Sequence, residues 1–224
     1  MNASIKHKYS EEVFEQFSRI CKALGSSRRF ELLDLLSQGE HTVEELANET
    51  GMSVANASQH LQNLKGSHLV SVRRHRNEMI YRLKDDSLVE VLEAVEKVAE
   101  NYLAEMDRIK LNLKQDRLRI KTISFSELDN LRENGTVQLI DVRPKPEYQA
   151  GHLPGAVSIP LEELENRLGE LSSTDPVVVY CRGFYSLLAD EAVKLLDSNH
   201  FDAGRLEWGT NKWRLEGRHL EILA

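Results

Sequence analysis

Cys181 opens the run Cys181-Arg182-Gly183-Phe184-Tyr185-Ser186. The residues before it, Pro176-Val177-Val178-Val179-Tyr180, form a short apolar stretch rich in β-branched side chains, the pattern of a buried parallel strand. Those after it, Leu187 to Leu196, have helical periodicity. A strand, a tight turn and a helix N-terminus would gather backbone N–H groups and a helix dipole around the sulfur. Such a cradle favours a nucleophilic thiolate, and Arg182 adds a cation. The other reading of a lone cysteine at a strand end is a buried structural side chain. The glycine in the turn and the abrupt change of period favour chemistry.

A second set of residues lies upstream. Leu139-Ile140-Asp141-Val142-Arg143 ends another apolar strand, and Pro144, Pro146, Glu147, Tyr148 and Gly151-His152-Leu153-Pro154-Gly155-Ala156 follow. Together with the Cys181 loop, in this order and at this spacing, they resemble the rhodanese (sulfurtransferase) family. The resemblance covers about residues 119–224, including Trp208-Gly209, Trp213 and Gly217. It implies an α/β domain with a parallel sheet and Cys181 as the persulfide-carrying catalytic residue. The amides of Arg182, Gly183, Phe184, Tyr185 and Ser186 would ring the outer sulfur, and a small donor such as thiosulfate or a persulfide would supply it. Asp141, Arg143 and Glu147 are expected to support strands and loops more than to take part in catalysis, with Glu147 pairing with Arg143 or Arg182.

The loop length excludes neighbouring chemistries. Protein-tyrosine phosphatases need an arginine six positions after the cysteine, to clamp phosphate oxygens bidentately, and that position here is Leu187. The shorter ring suits a single sulfur. Ser186 stands where some related loops carry a second cysteine, so no disulfide can form within the loop.

The chain of 224 residues has room for two domains, each large enough to bury its own core. No apolar run approaches the length of a membrane span, and the start, Met1 to Lys8, lacks the apolar stretch of a secretory signal. Cys21 and Cys181 are the only cysteines and lie far apart. That usage suggests a reducing, cytoplasmic location and not a disulfide scaffold.

Charge is spread unevenly. Residues 121–224 carry net −6 and residues 1–120 net −1, but the near-balance of the first part hides two opposed patches. Between Met52 and Lys84, six basic residues stand against Glu78, whereas between Asp85 and Asp107 eight acidic residues stand against Lys97. A basic patch on an acidic protein is the footprint of an anionic polymer.

The elements around that patch are legible. Phe14, Phe17, Ile20 and Leu24, then Phe30, Leu32, Leu33, Leu35 and Leu36, mark two helices. Thr42-Val43-Glu44-Glu45 has the form of a capping box for a short helix that Gly51 stops. Ser53 caps the next helix, Val54 to about Lys65, with Val54, Ala57, Leu61 and Leu64 on one face. Opposite, Asn56, Gln59 and Asn63, flanked by Ala55, His60 and Gln62, present amide donors and acceptors suited to base edges in a major groove, and Ser53, Asn56, Ser58, Gln59, His60 and Asn63 are the expected DNA contacts of this helix. Leu69 to Arg74 and Met79 to Leu83 read as a hairpin, whose basic turn, with Arg73, Arg74 and Arg76, would hold phosphates. As a set, Ala23-Leu24-Gly25-Ser26-Ser27-Arg28-Arg29, Glu45-Leu46-Ala47, Ser58-Gln59-His60-Leu61 and Leu69-Val70 resemble the ArsR-type winged-helix repressors. The resemblance covers about residues 11–84 and implies binding to double-stranded operator DNA.

Many members of that family sense metals, and here the sequence departs from them. Where they carry a Cys-Val-Cys pair, this chain reads Glu40-His41-Thr42-Val43-Glu44, and His41 is expected to be a surface side chain. No metal or cofactor is implied. Leu88, Leu92, Val95, Ala99, Tyr102, Met106, Ile109 and Leu113 repeat at alternating spacings of 4 and 3, predicting one long helix, 87–113, with an uninterrupted dimerisation seam. Packing on its own domain is the other reading of that helix. The expected architecture is a mainly α winged-helix DNA-binding and dimerisation domain, 1–118, joined to a rhodanese-like domain, 119–224. The expected function is a DNA-binding transcriptional regulator that forms a Cys181 persulfide, as a sulfurtransferase or as a sulfur or redox sensor. The alternative is a non-catalytic rhodanese fold serving as a docking or redox-sensing module.

Overall fold

A computed structural model describes residues 3–223, with side-chain surroundings from Tyr9 onward; Met1 and Asn2, at the start of the stretch read for a secretory signal, lie outside the described residues. The chain divides into two compact units, residues 1–93 and 94–224.

In the first unit, helices α1 (Ala3–Leu24) and α2 (Ser27–Gln38) lead to a two-residue strand β1 (His41–Thr42), then α3 (Val43–Glu49) and α4 (Val54–Gly66). Hairpin strands β2 (Val70–His75) and β3 (Glu78–Leu83) follow, and α5 (Ser87–Tyr102) starts within the unit. Local chemistry sets the boundaries. Thr42 and Glu45 form the capping box, with Thr42 Oγ1 accepting from the Glu45 amide at 3.2 Å and Glu45 Oε2 from the Thr42 amide at 2.7 Å. Gly51 takes the left-handed conformation just beyond α3 (φ 64°), and Ser53 Oγ accepts from the Asn56 amide at 3.3 Å to start α4. Leu32, Leu33, Leu36, Leu46, Ala57, Leu61, Leu64 and Tyr81 share the core with Val89 and Leu92 of α5.

The sheet order is β1-β3-β2, all antiparallel, and His75 pairs with Glu78 across a two-residue turn. Side chains alternate across a strand. Val70, Val72 and Arg74 therefore share a face with their partners Leu83, Tyr81 and Met79, and this face packs on α4. Ser71, Arg73 and His75 are on the other. Two expectations are corrected. His41 is buried, its Nδ1 3.2 Å from the Gly39 carbonyl oxygen, because β1 pairs with β3 and draws it beneath the sheet edge. The long helix is broken at Leu103, where the backbone is extended (φ −104°, ψ 113°).

The second unit shows why. α6 (Ala104–Asp116) turns back on the end of α5, and Lys110 Nζ reaches Glu100 Oε2 at 2.9 Å. On a straight helix residues ten apart would be about 15 Å apart along the axis. The seam is thus divided: Leu88 and Leu92 pack in the first unit's core, while Val95, Tyr102 and Ile109 are exposed.

After α6 come β4 (Thr122–Ile123), α7 (Phe125–Asn134), β5 (Gln138–Asp141), α8 (Lys145–Ala150), β6 (Val157–Ser158) and α9 (Leu161–Arg167). Then follow β7 (Val177–Tyr180), α10 (Leu188–Ser198), β8 (Ala203–Leu206) and α11 (Thr210–Leu215). The five strands are parallel in the order β4-β8-β7-β5-β6, with β7 at the centre. Val177 and Val179 pack on the α10 side, Val178 and Tyr180 on the α7 and Trp213 side. A strand covered on both faces must be apolar throughout, which is how Val177-Val178-Val179-Tyr180 reads.

Candidate functional site

The central strand β7 delivers Cys181 to the carboxyl edge of the sheet, where open α/β sheets place their ligand sites. Cys181 is 2% exposed. Its Sγ lies 3.7 Å from the Gly183 carbonyl oxygen and 3.9 Å from that of Ser186, so the thiol faces carbonyl groups.

The loop carbonyls are held from below by two arginines. Arg205 Nη2 donates to Gly183 O at 3.3 Å, and Arg117 Nη2 donates to Phe184 O at 2.9 Å and Ser186 O at 3.4 Å. Both guanidinium groups meet on one carboxylate: Arg117 Nε is 2.9 Å from Asp190 Oδ2, and Arg205 Nη1 is 2.9 Å from Asp190 Oδ1. In a trans peptide the C=O and the following N–H point in opposite directions. The amides of Phe184, Tyr185 and Leu187 are therefore turned away from the arginines, and they make no hydrogen bond with other described residues.

Arg182 Nε and Nη2 donate to the buried Glu147 carboxylate at 2.5–3.1 Å, so this side chain is engaged in an ion pair at the site's edge. Asp141 and Arg143 form a fully buried pair, with Arg143 Nη2 2.6 Å from Asp141 Oδ2. Arg143 also donates to Gly151 O at 2.8 Å and Thr210 Oγ1 at 3.2 Å, joining the end of β5 to the ends of α8 and α11. Burial alone would favour a neutral Arg143; the Asp141 carboxylate outweighs it and raises its affinity for the proton above the ordinary value.

Aromatic residues cover the loop. Phe184 lies 5.5 Å from Trp208 and 5.1 Å from Tyr185, with the Arg117 guanidinium 5.1 Å from the Phe184 ring. Gly209 passes so close below that an added Cβ would overlap the carbonyl oxygens of Cys181 and Arg182. Sequence reasoning missed Arg117, Asp190 and Arg205. Arg205 left a signal, a charge inside the buried strand Ala203-Gly204-Arg205-Leu206. Arg117 left none, since it sits in a polar stretch at the end of α6.

On α4, Asn56, Gln59 and Asn63 are exposed, while Ser58 and His60 are half-buried. Asn63 Nδ2 donates to Gln59 O at 3.1 Å, and Ser53 is occupied by its cap. At the hairpin, Arg73 Nη2 pairs with Glu40 at 2.6 Å, a hydrogen-bonded pair that holds its proton above the usual guanidinium range. Arg74 Nε donates to Arg76 O at 3.1 Å, and Arg76, at the turn, has φ 54°.

Comparison with known proteins separates the same two parts. Residues 26–72 match the family of bacterial regulatory proteins called arsR, and residues 124–216 match the rhodanese-like domain. The HTH-type transcriptional regulator Rv0324 of Mycobacterium tuberculosis is 40% identical over 208 residues, 92% of this chain and 90% of that protein. The thiosulfate sulfurtransferase GlpE of Shewanella oneidensis is 28% identical over 94 residues, 42% of this chain and 91% of that protein. A solved homodimeric winged helix-turn-helix DNA-binding domain of Mycobacterium bovis, described as a possible ArsR-family regulator, is 38% identical, covers 42% of this chain and 88% of its own, and has a TM-score of 0.40. The chain belongs to the arsR family of bacterial regulatory proteins, as a transcriptional regulator whose winged-helix domain is followed by a rhodanese-like domain.

Proposed function

We propose that Cys181 takes up a single sulfur as a persulfide and that this modification is the signal read by the DNA-binding part. The observation that carries the reading is the loop itself: a cysteine at the end of the central strand, enclosed by a short loop whose carbonyls Arg117 and Arg205 hold. In the reaction, the Cys181 thiolate attacks the outer sulfur of thiosulfate. An S–S bond forms, the bond between the two thiosulfate sulfurs breaks, and sulfite leaves with its electron pair. An acceptor thiolate then attacks the outer sulfur and restores the Cys181 thiolate. A persulfide donor reacts likewise and releases a thiolate.

On the DNA, α4 lies in the major groove with Asn56, Gln59 and Asn63 towards the bases, while the hairpin holds phosphates. A second copy covers the apolar side chains left exposed on α1 and α5, among them Phe14, Phe17, Val95 and Tyr102. Residues 1–118 carry DNA binding and dimerisation and 119–224 the sulfur chemistry, with the protein acting in the cytoplasm. The near-complete burial of Cys181 favours a second reading, in which the loop senses or docks and turns over slowly. Intact-mass measurement after thiosulfate treatment tests uptake: a gain of about 32 Da, one sulfur atom, that vanishes in Cys181→Ser supports it. A gain that persists in Cys181→Ser moves the nucleophile to Cys21.

A further inference from the structure

Two arginines share one aspartate beneath the Cys181 loop, so the cluster keeps one positive charge that Asp190 does not offset. Arg117 is 7% exposed and Arg205 1%. Arg117 Nη1 and Arg205 Nε are buried and make no hydrogen bond among the described residues. An uncompensated buried cation is costly unless an anion lies within reach. Burial, with Arg117 beside it, lowers the proton affinity of Arg205 below its ordinary value against the opposing pull of Asp190, and Cys181 Sγ lies against the same Gly183 carbonyl oxygen that Arg205 holds.

We propose that Arg117, which lies outside the rhodanese-like match, is a positioning residue for the sulfur chemistry of Cys181: it supplies the unmatched charge beneath the loop and, with Arg205, holds the loop carbonyls against which the thiol lies. This rests on the reading of Cys181 as the sulfur acceptor. Without Arg117, Asp190 and Arg205 form a neutral pair, and the carbonyls of Phe184 and Ser186 lose their donor. The loop is then complete only when the end of α6 is seated under it, so a segment beyond the recognised domain finishes the site.

The test compares full-length wild type, Arg117→Gln, Arg117→Lys and Cys181→Ser in two reactions: sulfur uptake from the dianion thiosulfate, and alkylation of Cys181 by neutral iodoacetamide. One unit charge several ångströms away, at an effective dielectric of about 20, changes a rate with an anion by about tenfold. Arg117→Gln should slow thiosulfate uptake by about that factor, and by more than it slows iodoacetamide. Arg117→Lys, which keeps the charge but not the fork, should recover the thiosulfate-to-iodoacetamide ratio. A general loss of packing would slow both reagents alike and leave the ratio unchanged. An unchanged ratio in Arg117→Gln, or in the event of its misfolding a ratio in Arg117→Lys far below wild type, overturns the proposal while leaving Cys181 as acceptor. Wild type that gains no sulfur from thiosulfate or from a persulfide donor overturns both.

Discussion

The Tyr185 hydroxyl donates to Glu100 Oε1 at 2.5 Å, tying the Cys181 loop to α5, the helix whose first turns lie in the core of the DNA-binding unit. Burial and the adjacent carboxylate both raise the Tyr185 phenol above its ordinary value. Burial would raise Glu100 as well, but its hydrogen bonds from Tyr185 and Lys110 win and hold it below the usual carboxylate range. A carboxylate depressed on folding adds stability above its unfolded pKa, about 4.3, and loses it as pH falls through the lower folded value. Tyr185→Phe should therefore cost about 1 kcal/mol at pH 7 and less below pH about 4. Urea midpoints of both proteins at the two pH values check this, and an equal difference at both would contradict it.

Gly209 leaves no room for a side chain against Cys181 and Arg182. Gly209→Ala must displace the loop backbone, so sulfur uptake should fall steeply while operator binding by the untreated protein stays intact. A mass-spectrometric uptake assay beside a gel-shift titration reads both. Wild-type uptake in the variant would mean that the loop does not depend on this approach.

Asp141 and Arg143 are fully buried together. Asp141→Asn removes the carboxylate bonded to the buried Arg143 guanidinium, and breaking such a pair costs about 3–5 kcal/mol. Calorimetry should show the transition of the rhodanese-like unit moved down with that of the winged-helix unit unchanged. A loss below about 1 kcal/mol would show that water reaches the pair.

The two arginines that precede the hairpin turn are not equivalent. Arg73 is spent on Glu40, whereas Arg74 shares the face that packs on α4. Arg74→Ala should reduce the slope of log affinity against log salt by about 0.9, the share of one phosphate, and Arg73→Ala by less. Gln59→Ala should instead relax preference at one base position by about 1–3 kcal/mol. The reverse ranking of the arginines would turn the hairpin over on the DNA.

Most of these elements could be read from the sequence because their signals are local. The period change at Cys181, the capping box at Thr42 and the Ser53 cap need only neighbouring residues. The break at Leu103 could not be read so, because no glycine or proline marks it. It follows from the fold-back that brings Lys110 to Glu100 and Glu100 to Tyr185. Arg73 counts towards the basic patch in the sequence, but its pairing with Glu40, 33 positions away, is invisible there. Arg117 is the clearest case. A charged residue in a polar connector carries no pattern, and only the folded chain places it on Asp190 beneath the loop.

The most direct test of the account is an operator titration with reduced and persulfidated protein, with Cys181→Ser treated identically. The loop that follows Cys181 is held by the Tyr185–Glu100 bond to α5 and by Arg117 just past the end of α6, and the proposed persulfide would act on that loop. The predicted result is an affinity change of about 1–3 kcal/mol between the two states, absent in Cys181→Ser and diminished in Tyr185→Phe. Equal affinities for reduced and persulfidated wild type would contradict it, leaving a repressor-like domain and a sulfur-binding domain that share a chain without coupling.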